Sequence, residues 1–425
     1  MAALFILVAA CSGPVVDPDA GATGGGSAAT GGGAAAGGGT ATGGGTATGG
    51  GAATGGGAAT GGGAATGGGA ATGGGGGATT VPMFVASGHV GRTTISCDDG
   101  RTWVGNRSDE DRFTCFVAGG NPDGGSEDCD HNAGAGHGVV FSNGWFVASY
   151  GWGPPGGIRR SADGVSWTQT LGGTTFQGVV EGGGLVFASG RNPRWSRDDG
   201  ATWDAGATID LRGADGGPIF NVRTQGRADG VFVVFGNDSD RSDLRVSRDD
   251  GATWVRPTTL PPECRVARRF GTNGATLLFL TDQGLVCRST DQGDTFSASD
   301  AGGLAIEGVE WTGTEFLAWG SLLPPSYTPV AFRSTDGERW TATPLIGRRP
   351  DGGMGRPELG AVSRSPLTGT FVSVRGGWQN WYARQEFYRS TDGVTWDFLP
   401  AGAFVGSHPL HDIVFGYGAP SGVCP

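Results

Sequence analysis

Ser196-Arg197-Asp198-Asp199-Gly200-Ala201-Thr202-Trp203 decides the fold, because its order of serine, aspartate, glycine and aromatic returns six more times along the chain. The copies are Ser96 to Trp103, Ser161 to Trp167, Ser247 to Trp254, Ser289 to Phe296, Ser334 to Trp340 and Ser390 to Trp396. Their spacing runs from 35 to 65 residues. A unit repeated at this interval needs a neighbour to bury its faces, which points to a solenoid, propeller or array.

Upstream of the motif lie two apolar alternating runs joined by a turn pair, as in Val139-Val140-Phe141, Asn143-Gly144 and Trp145 to Tyr150. That pattern predicts a β-hairpin. A third run leads into the motif and a short fourth run follows it, so each repeat predicts a four-stranded propeller blade, of which about four to eight surround a channel. Met83 to Gly88 begins as a second strand with no first strand before it, and His411 to Phe415 is a first strand with no successor. The two fragments complete one another. We therefore expect an all-β fold of seven four-stranded blades, with the C-terminal strand closing blade 1 and bringing Cys97 near Cys424.

The motif itself has a physical reading. Its aspartate accepts backbone N–H groups in the turn between third and fourth strands, its glycine supplies positive φ, and its aromatic packs beneath the sheet. These copies resemble Asp boxes, the bacterial neuraminidase repeats of sialidases and related propellers, over residues 80–425. The resemblance implies a propeller; it is shared by hydrolases, receptors and assembly factors, so it leaves the activity open. Asp98, Asp163, Asp198, Asp249, Asp291, Asp336 and Asp392, present at the same register in every copy, are expected to be structural, as are Arg160, Arg288, Arg333 and Arg389 just before the motif.

Residues 12–79 are nearly all Gly, Ala and Thr and carry too little apolar surface to offset ordering entropy, so a disordered linker is expected there. Coil scaling gives it a reach of roughly 40 Å. Ahead of it, the short apolar run of residues 1–11 ends in Val8-Ala9-Ala10-Cys11, which resembles a lipoprotein signal with Cys11 as the lipidated residue. Six of the seven cysteines then remain, an even number suited to disulfides in an exported domain. Cys115 with Cys129 is the favoured local pair, Cys97 with Cys424 the clasp at the ring closure, and Cys264 and Cys287 are further candidates. The net charge of −11 and the absence of lysine argue against nucleic acid or an anionic lipid surface as partner.

Functional residues should be those unique to one blade. The loops opposite the motifs form the face where ligands are expected, and the first strands open there with His137, Gln177, Asn221, Glu307, His411 and Asp412. Loop aromatics Trp152, Tyr327, Trp378 and Trp381 add area for a sugar ring or a protein surface. The arginine-bearing motif that sialidases carry on the first strand of blade 1 is replaced here by His411-Asp412-Ile413-Val414, so no catalytic residue is assigned; Glu307 with Asp412, or with Asp238, is the carboxylate pair offered for glycoside hydrolysis. No metal or cofactor is expected. The expected protein is a monomeric, lipid-anchored module of the bacterial cell envelope, at the outer membrane or cell surface, that binds a glycan or protein. A glycoside hydrolase is the alternative.

Overall fold

The computed structural model describes residues 80–88, 93–105, 136–150, 156–173, 176–190, 192–205, 207–213, 215–219, 222–228, 230–238, 241–265, 269–281, 284–302, 304–322, 327–375, 386–400, 403 and 410–424. Apart from a single 3-10 turn at Pro262–Arg265, the regular elements among these residues are strands, gathered into seven sheets. In sheet 1 the order is Leu410–Gly418, Val81–Gly88, Thr93–Ser96, Val104–Gly105, so the C-terminal strand is innermost and pairs antiparallel with the first folded one. Sheets 2 to 7 begin with Gly136–Ser142, Gly178–Gly182, Val222–Ala228, Arg269–Thr272, Leu304–Trp311 and Ala361–Arg364. These seven first strands lie side by side in that order and return to Leu410–Gly418, closing a ring around a central opening. The architecture is a β-propeller.

Seven four-stranded blades are not what forms. Six sheets contain the full four-stranded meander, whereas sheet 4 has only Val222–Ala228, Val231–Asp238 and Arg241–Ser247. Its fourth strand is reduced to one bridge, with Val246 N–H donating to the Val255 carbonyl at 2.8 Å and the reverse bond at 2.9 Å. The cause is local: Pro257 has no N–H with which to continue a ladder. The chain instead crosses to sheet 5, where Thr258 N–H meets the Asp294 carbonyl at 2.8 Å. Sheet 7 has the opposite irregularity, gaining Ile346–Arg348 in parallel beside Thr395–Phe398, and Met354–Gly355 beyond it.

Each boundary between neighbouring sheets holds one apolar cluster. Phe84, Ala86 and Trp103 of sheet 1 meet Val372, Val374 and Phe387 of sheet 7, and Val233, Phe235 and Val246 of sheet 4 meet Leu277, Phe279 and Phe296 of sheet 5. In every repeated turn the serine hydroxyl donates to the aspartate Oδ1 at 2.7 to 3.0 Å. The carboxylate then accepts backbone N–H groups, as Asp198 does from Thr202 at 2.8 Å, and in the longer copies the threonine hydroxyl as well, at 2.6 Å for Thr202. These bonds hold the Asp198, Asp291 and Asp336 carboxyls down at about 2. The four longer copies place their inserted residue, Asp99, Asp199, Asp250 or Gln292, at positive φ. The glycine is required twice over at Gly251: its φ is +80°, and a Cβ there would overlap the Trp195 ring of the preceding sheet.

The two ends of the folded chain meet on the face that carries these turns. Val81 opposes Gly418, three positions beyond the Phe84 that pairs with Ser96. Cys97 and Cys424 are joined by a disulfide at that corner, Cα atoms 5.8 Å apart, and Cys264 is bonded to Cys287 at 5.7 Å. Cys11, Cys115 and Cys129 lie outside the described residues.

Candidate functional site

On the opposite, loop-bearing face four of the seven first strands share an irregularity that sequence patterning does not reveal. The register between first and second strands slips by one residue between Gly136 and Gly138, between Val222 and Thr224, and between Ile306 and Gly308. In the ring-closing sheet Ser87 opposes Asp412 and Gly88 opposes Leu410. The residues passed over are His137, Arg223, Glu307 and His411. Gln177 behaves alike, since its N–H reaches the Ser189 carbonyl at 2.8 Å while Gly178 is the residue opposite Ser189. A bulge of this kind re-aims a side chain and ends the regular ladder. Three of the polar residues expected at the channel mouth, His137, Glu307 and His411, are thus bulge residues, and Gln177 is in an equivalent place.

Immediately after the bulge most first strands carry a small residue, Gly138, Gly178, Thr224 or Gly308, while sheet 1 carries Asp412. A Cβ on Gly138 would come within 3.2 Å of Val179 N, so neighbouring inner strands approach closely here. Asp412 uses that closeness. Its Oδ2 accepts the Val139 N–H of sheet 2 at 3.0 Å and its Oδ1 accepts its own Ile413 N–H at 2.9 Å. Burial is the larger influence and pushes this carboxyl up to about 6, while the two N–H donors and Arg269 pull it back. Asp412 therefore clasps sheet 1 to sheet 2.

Glu310 lies deeper on the first strand of sheet 6, opposite Leu317. The matching positions of the other sheets are Val140, Val180, Gly226, Gly271, Ser363 and Val414. A carboxyl at a register otherwise apolar or small is unique to one sheet. Burial pushes it up to about 7; Arg364 of sheet 7 opposes the shift and Asp412 adds to it. Glu310 keeps some accessible surface although protein encloses it, as does Asp412. A carboxyl poised near neutrality can both donate and accept a proton. Glu310 was not among the sequence candidates, because its register emerges only once its cross-strand partner is known.

Tyr327 sits on the loop between second and third strands of sheet 6 and is 55% exposed. Its φ of +44° is uncommon for an aromatic residue. The Arg356 guanidinium, from the connection into sheet 7, donates to its carbonyl and pins the turn. Asn221, Trp152, Trp378 and Trp381 lie outside the described residues. Among the described residues no three His, Cys, Asp or Glu side chains group closely enough to hold a metal ion.

No family model matches the chain, and no curated protein does. Solved structures do. A GH74 xyloglucanase from Xanthomonas campestris superposes with a TM-score of 0.52 at 14% identity, over 76% of this chain and 53% of that one, so the chain spans about half that enzyme's length. YCF48 bound to D1 peptide is similar with a TM-score of 0.47 at 15% identity, over 70% and 90% of the two chains. A quinoprotein alcohol dehydrogenase-like protein from Bacteroides thetaiotaomicron follows with a TM-score of 0.47 at 12% identity, over 78% and 77%. At such identities the likeness concerns the fold.

Proposed function

We infer that this chain is an exported, lipid-anchored β-propeller of the Asp-box type that binds a glycan or protein ligand at the channel mouth on its loop face. The observation that carries the reading is the bulge that recurs in four of the seven first strands at His137, Arg223, Glu307 and His411, with Gln177 in an equivalent place, so that one backbone feature bears a varied polar set. Rigid elements holding different polar groups around one opening suit recognition better than they suit packing. Tyr327 adds an aromatic surface beside the ring, on a turn already fixed by Arg356.

Val8-Ala9-Ala10-Cys11 and the Gly/Ala/Thr-rich tether support anchoring in the cell envelope, at the outer membrane or cell surface. Val81 enters on the face carrying the repeated turns, which supports a loop face directed away from the membrane.

A glycan and peptide array probed with the protein tests the reading, with His411→Ala, Glu307→Ala and Tyr327→Ala as comparisons. At least tenfold weaker binding with unchanged melting is expected for one or more variants; binding indifferent to all three would overturn it. A hydrolytic reading has one observation in its favour, the raised Glu310 and Asp412 carboxyls within electrostatic reach of each other. Mass spectrometry of array hits distinguishes the two, since turnover lost in Glu310→Gln identifies an enzyme.

A further inference from the structure

The seam between sheets 6 and 7 opens on the central channel with three polar groups that the protein leaves without partners. Glu310 on the first strand of sheet 6, and Val362 and Arg364 on that of sheet 7, supply them. Val362 packs with Leu317 and Trp319 of sheet 6, and Arg364, two positions on, lies on the same side of its strand. The Glu310 carboxyl makes no hydrogen bond and no ion pair among the described residues, although it is within electrostatic reach of Arg364. Arg364 stands over the Phe371 ring at 5.6 Å, and its Nε is buried with no hydrogen-bond partner among the described residues. A desolvated guanidinium N–H is costly to leave unpaired.

The Val362 N–H is the third group. Ser365 N–H donates to the Thr370 carbonyl at 2.8 Å and sets the phase of the hairpin, so Ser363 bonds Val372 while Val362 turns its N–H to the channel. In sheet 2 the matching N–H, that of Val139, is taken by the Asp412 carboxylate at 3.0 Å. That bond shows what the position accepts. Sheet 6 has Gly308 where sheet 1 has Asp412, and a Cβ there would meet only the Trp319 ring, at 3.7 Å. The Val362 donor therefore has no carboxylate of the chain over it, and space beside it. The rest of the ring at the level of Glu310 is apolar or small: Val414, Val140 and Val180 of sheets 1 to 3 keep accessible surface, and Gly226, Gly271 and Ser363 complete it.

We propose that this seam binds a short aliphatic carboxylate inside the channel, one oxygen against Arg364 and the Val362 N–H, the other against the Glu310 carboxyl, and the hydrocarbon tail against the valines of sheets 1 to 3. Two donors and a neutral acid satisfy an anion without setting a second negative charge beside it, whereas a cation would meet Arg364. Burial already raises Glu310 to about 7, so its neutral, donating form is at hand near neutral pH. The charged or titratable groups on the elements around it are Arg364 of sheet 7, Arg269 of sheet 5, and Asp412 and His411 of sheet 1. This site lies deeper than the channel mouth, and it stands whether or not that ring binds a ligand.

The test is titration calorimetry of the full chain with butyrate, and with butyramide and butylamine as comparisons. Butyrate is expected to bind saturably at pH 6 and about tenfold more weakly at pH 8, because the site must first regain the proton that Glu310 has lost. Heats in buffers of different ionisation enthalpy should show nearly one proton taken up per butyrate at pH 8. Glu310→Gln, which keeps a neutral donor, should bind butyrate with no pH step, whereas Asp412→Asn should keep the step. Arg364→Met should weaken binding at least tenfold, as should Gly308→Asp, which sets a carboxylate of the chain over the Val362 N–H. No saturable binding at pH 6, equal or tighter binding of butyramide or butylamine, a pH step that survives in Glu310→Gln, or indifference to Arg364→Met would overturn the proposal. The amide and amine comparisons use the unaltered protein, so they decide the matter even where a variant melts early.

Discussion

Arg389 donates from Nε to the backbone carbonyl of Asp99, 2.8 Å away and 290 positions earlier, and its Nη2 reaches the Asp99 carboxylate and the Thr370 hydroxyl. The same latch recurs around the ring. Arg160 meets the Asp198 carbonyl at 3.2 Å, Arg288 that of Asp336 at 2.8 Å, and Arg333 that of Asp392 at 2.7 Å. Each arginine precedes a repeated turn and grips the turn of the following sheet, so the turns couple neighbours as well as ending strands.

Removing the latch at the ring closure should be costly. Arg389 and Asp99 are both largely buried, at 14% and 17% side-chain exposure, and Arg389→Ala leaves a desolvated carboxylate. A loss of about 3 kcal/mol is expected, seen as a fall of several degrees in calorimetry. Arg160→Ala, which loses the carbonyl bonds to the next turn and the stack over the Trp145 ring but leaves no buried carboxylate behind, should cost about 1 to 2 kcal/mol.

Cutting the clasp acts on the unfolded chain. Cys97–Cys424 closes a loop of separation 327, for which the chain-entropy model gives roughly 6 kcal/mol. A Cys97→Ser/Cys424→Ser protein should melt lower, with fraying that starts at Leu410–Gly418; hydrogen exchange of that strand reports it.

Stability should peak in mild acid. The Asp198, Asp291 and Asp336 carboxyls, held at about 2 against an ordinary value near 4, stabilise the fold above that ordinary value and lose this contribution as pH falls toward 2. Glu310 and Asp412, raised to about 7 and about 6, favour their protonated forms in the fold. They cost nothing below about pH 4, and the penalty grows until it is complete above pH 7. Melting temperature against pH is thus expected to be highest between about pH 4 and 6. Glu310→Gln should raise stability at pH 8 by up to about 3 kcal/mol and leave it unchanged at pH 4.

The repeated aspartates should be silent in binding. Asp291→Ala removes acceptors for Ser289, Thr295 and Asp294 and is expected to cost about 1 to 2 kcal/mol in chemical denaturation, with no change in any loop-face affinity.

The repeated turns made the sheets and the ring closure legible, because Ser, Asp and Gly are held to fixed places by hydrogen bonds within a few residues. Strand number was less legible. Val255 follows its turn as the fourth-strand residues of other sheets do, and only the absent N–H of Pro257 stops the pairing. Of the candidate site, His137, Glu307 and His411 could be named from their polarity at strand openings, but the bulge that unites them with Arg223 depends on cross-strand register. Glu310 was missed for the same reason: in sequence it is one glutamate in an apolar run, and only beside Val140, Val180 and Val414 does it stand out.

The Cys97–Cys424 bond gives the propeller a property that its strand pairing does not. Every residue from 98 to 423 lies on a covalently closed circuit, so a single proteolytic cut in any loop between them opens the circuit without parting the molecule. A protease must cut twice, or meet a reductant, before a piece of the ring is released.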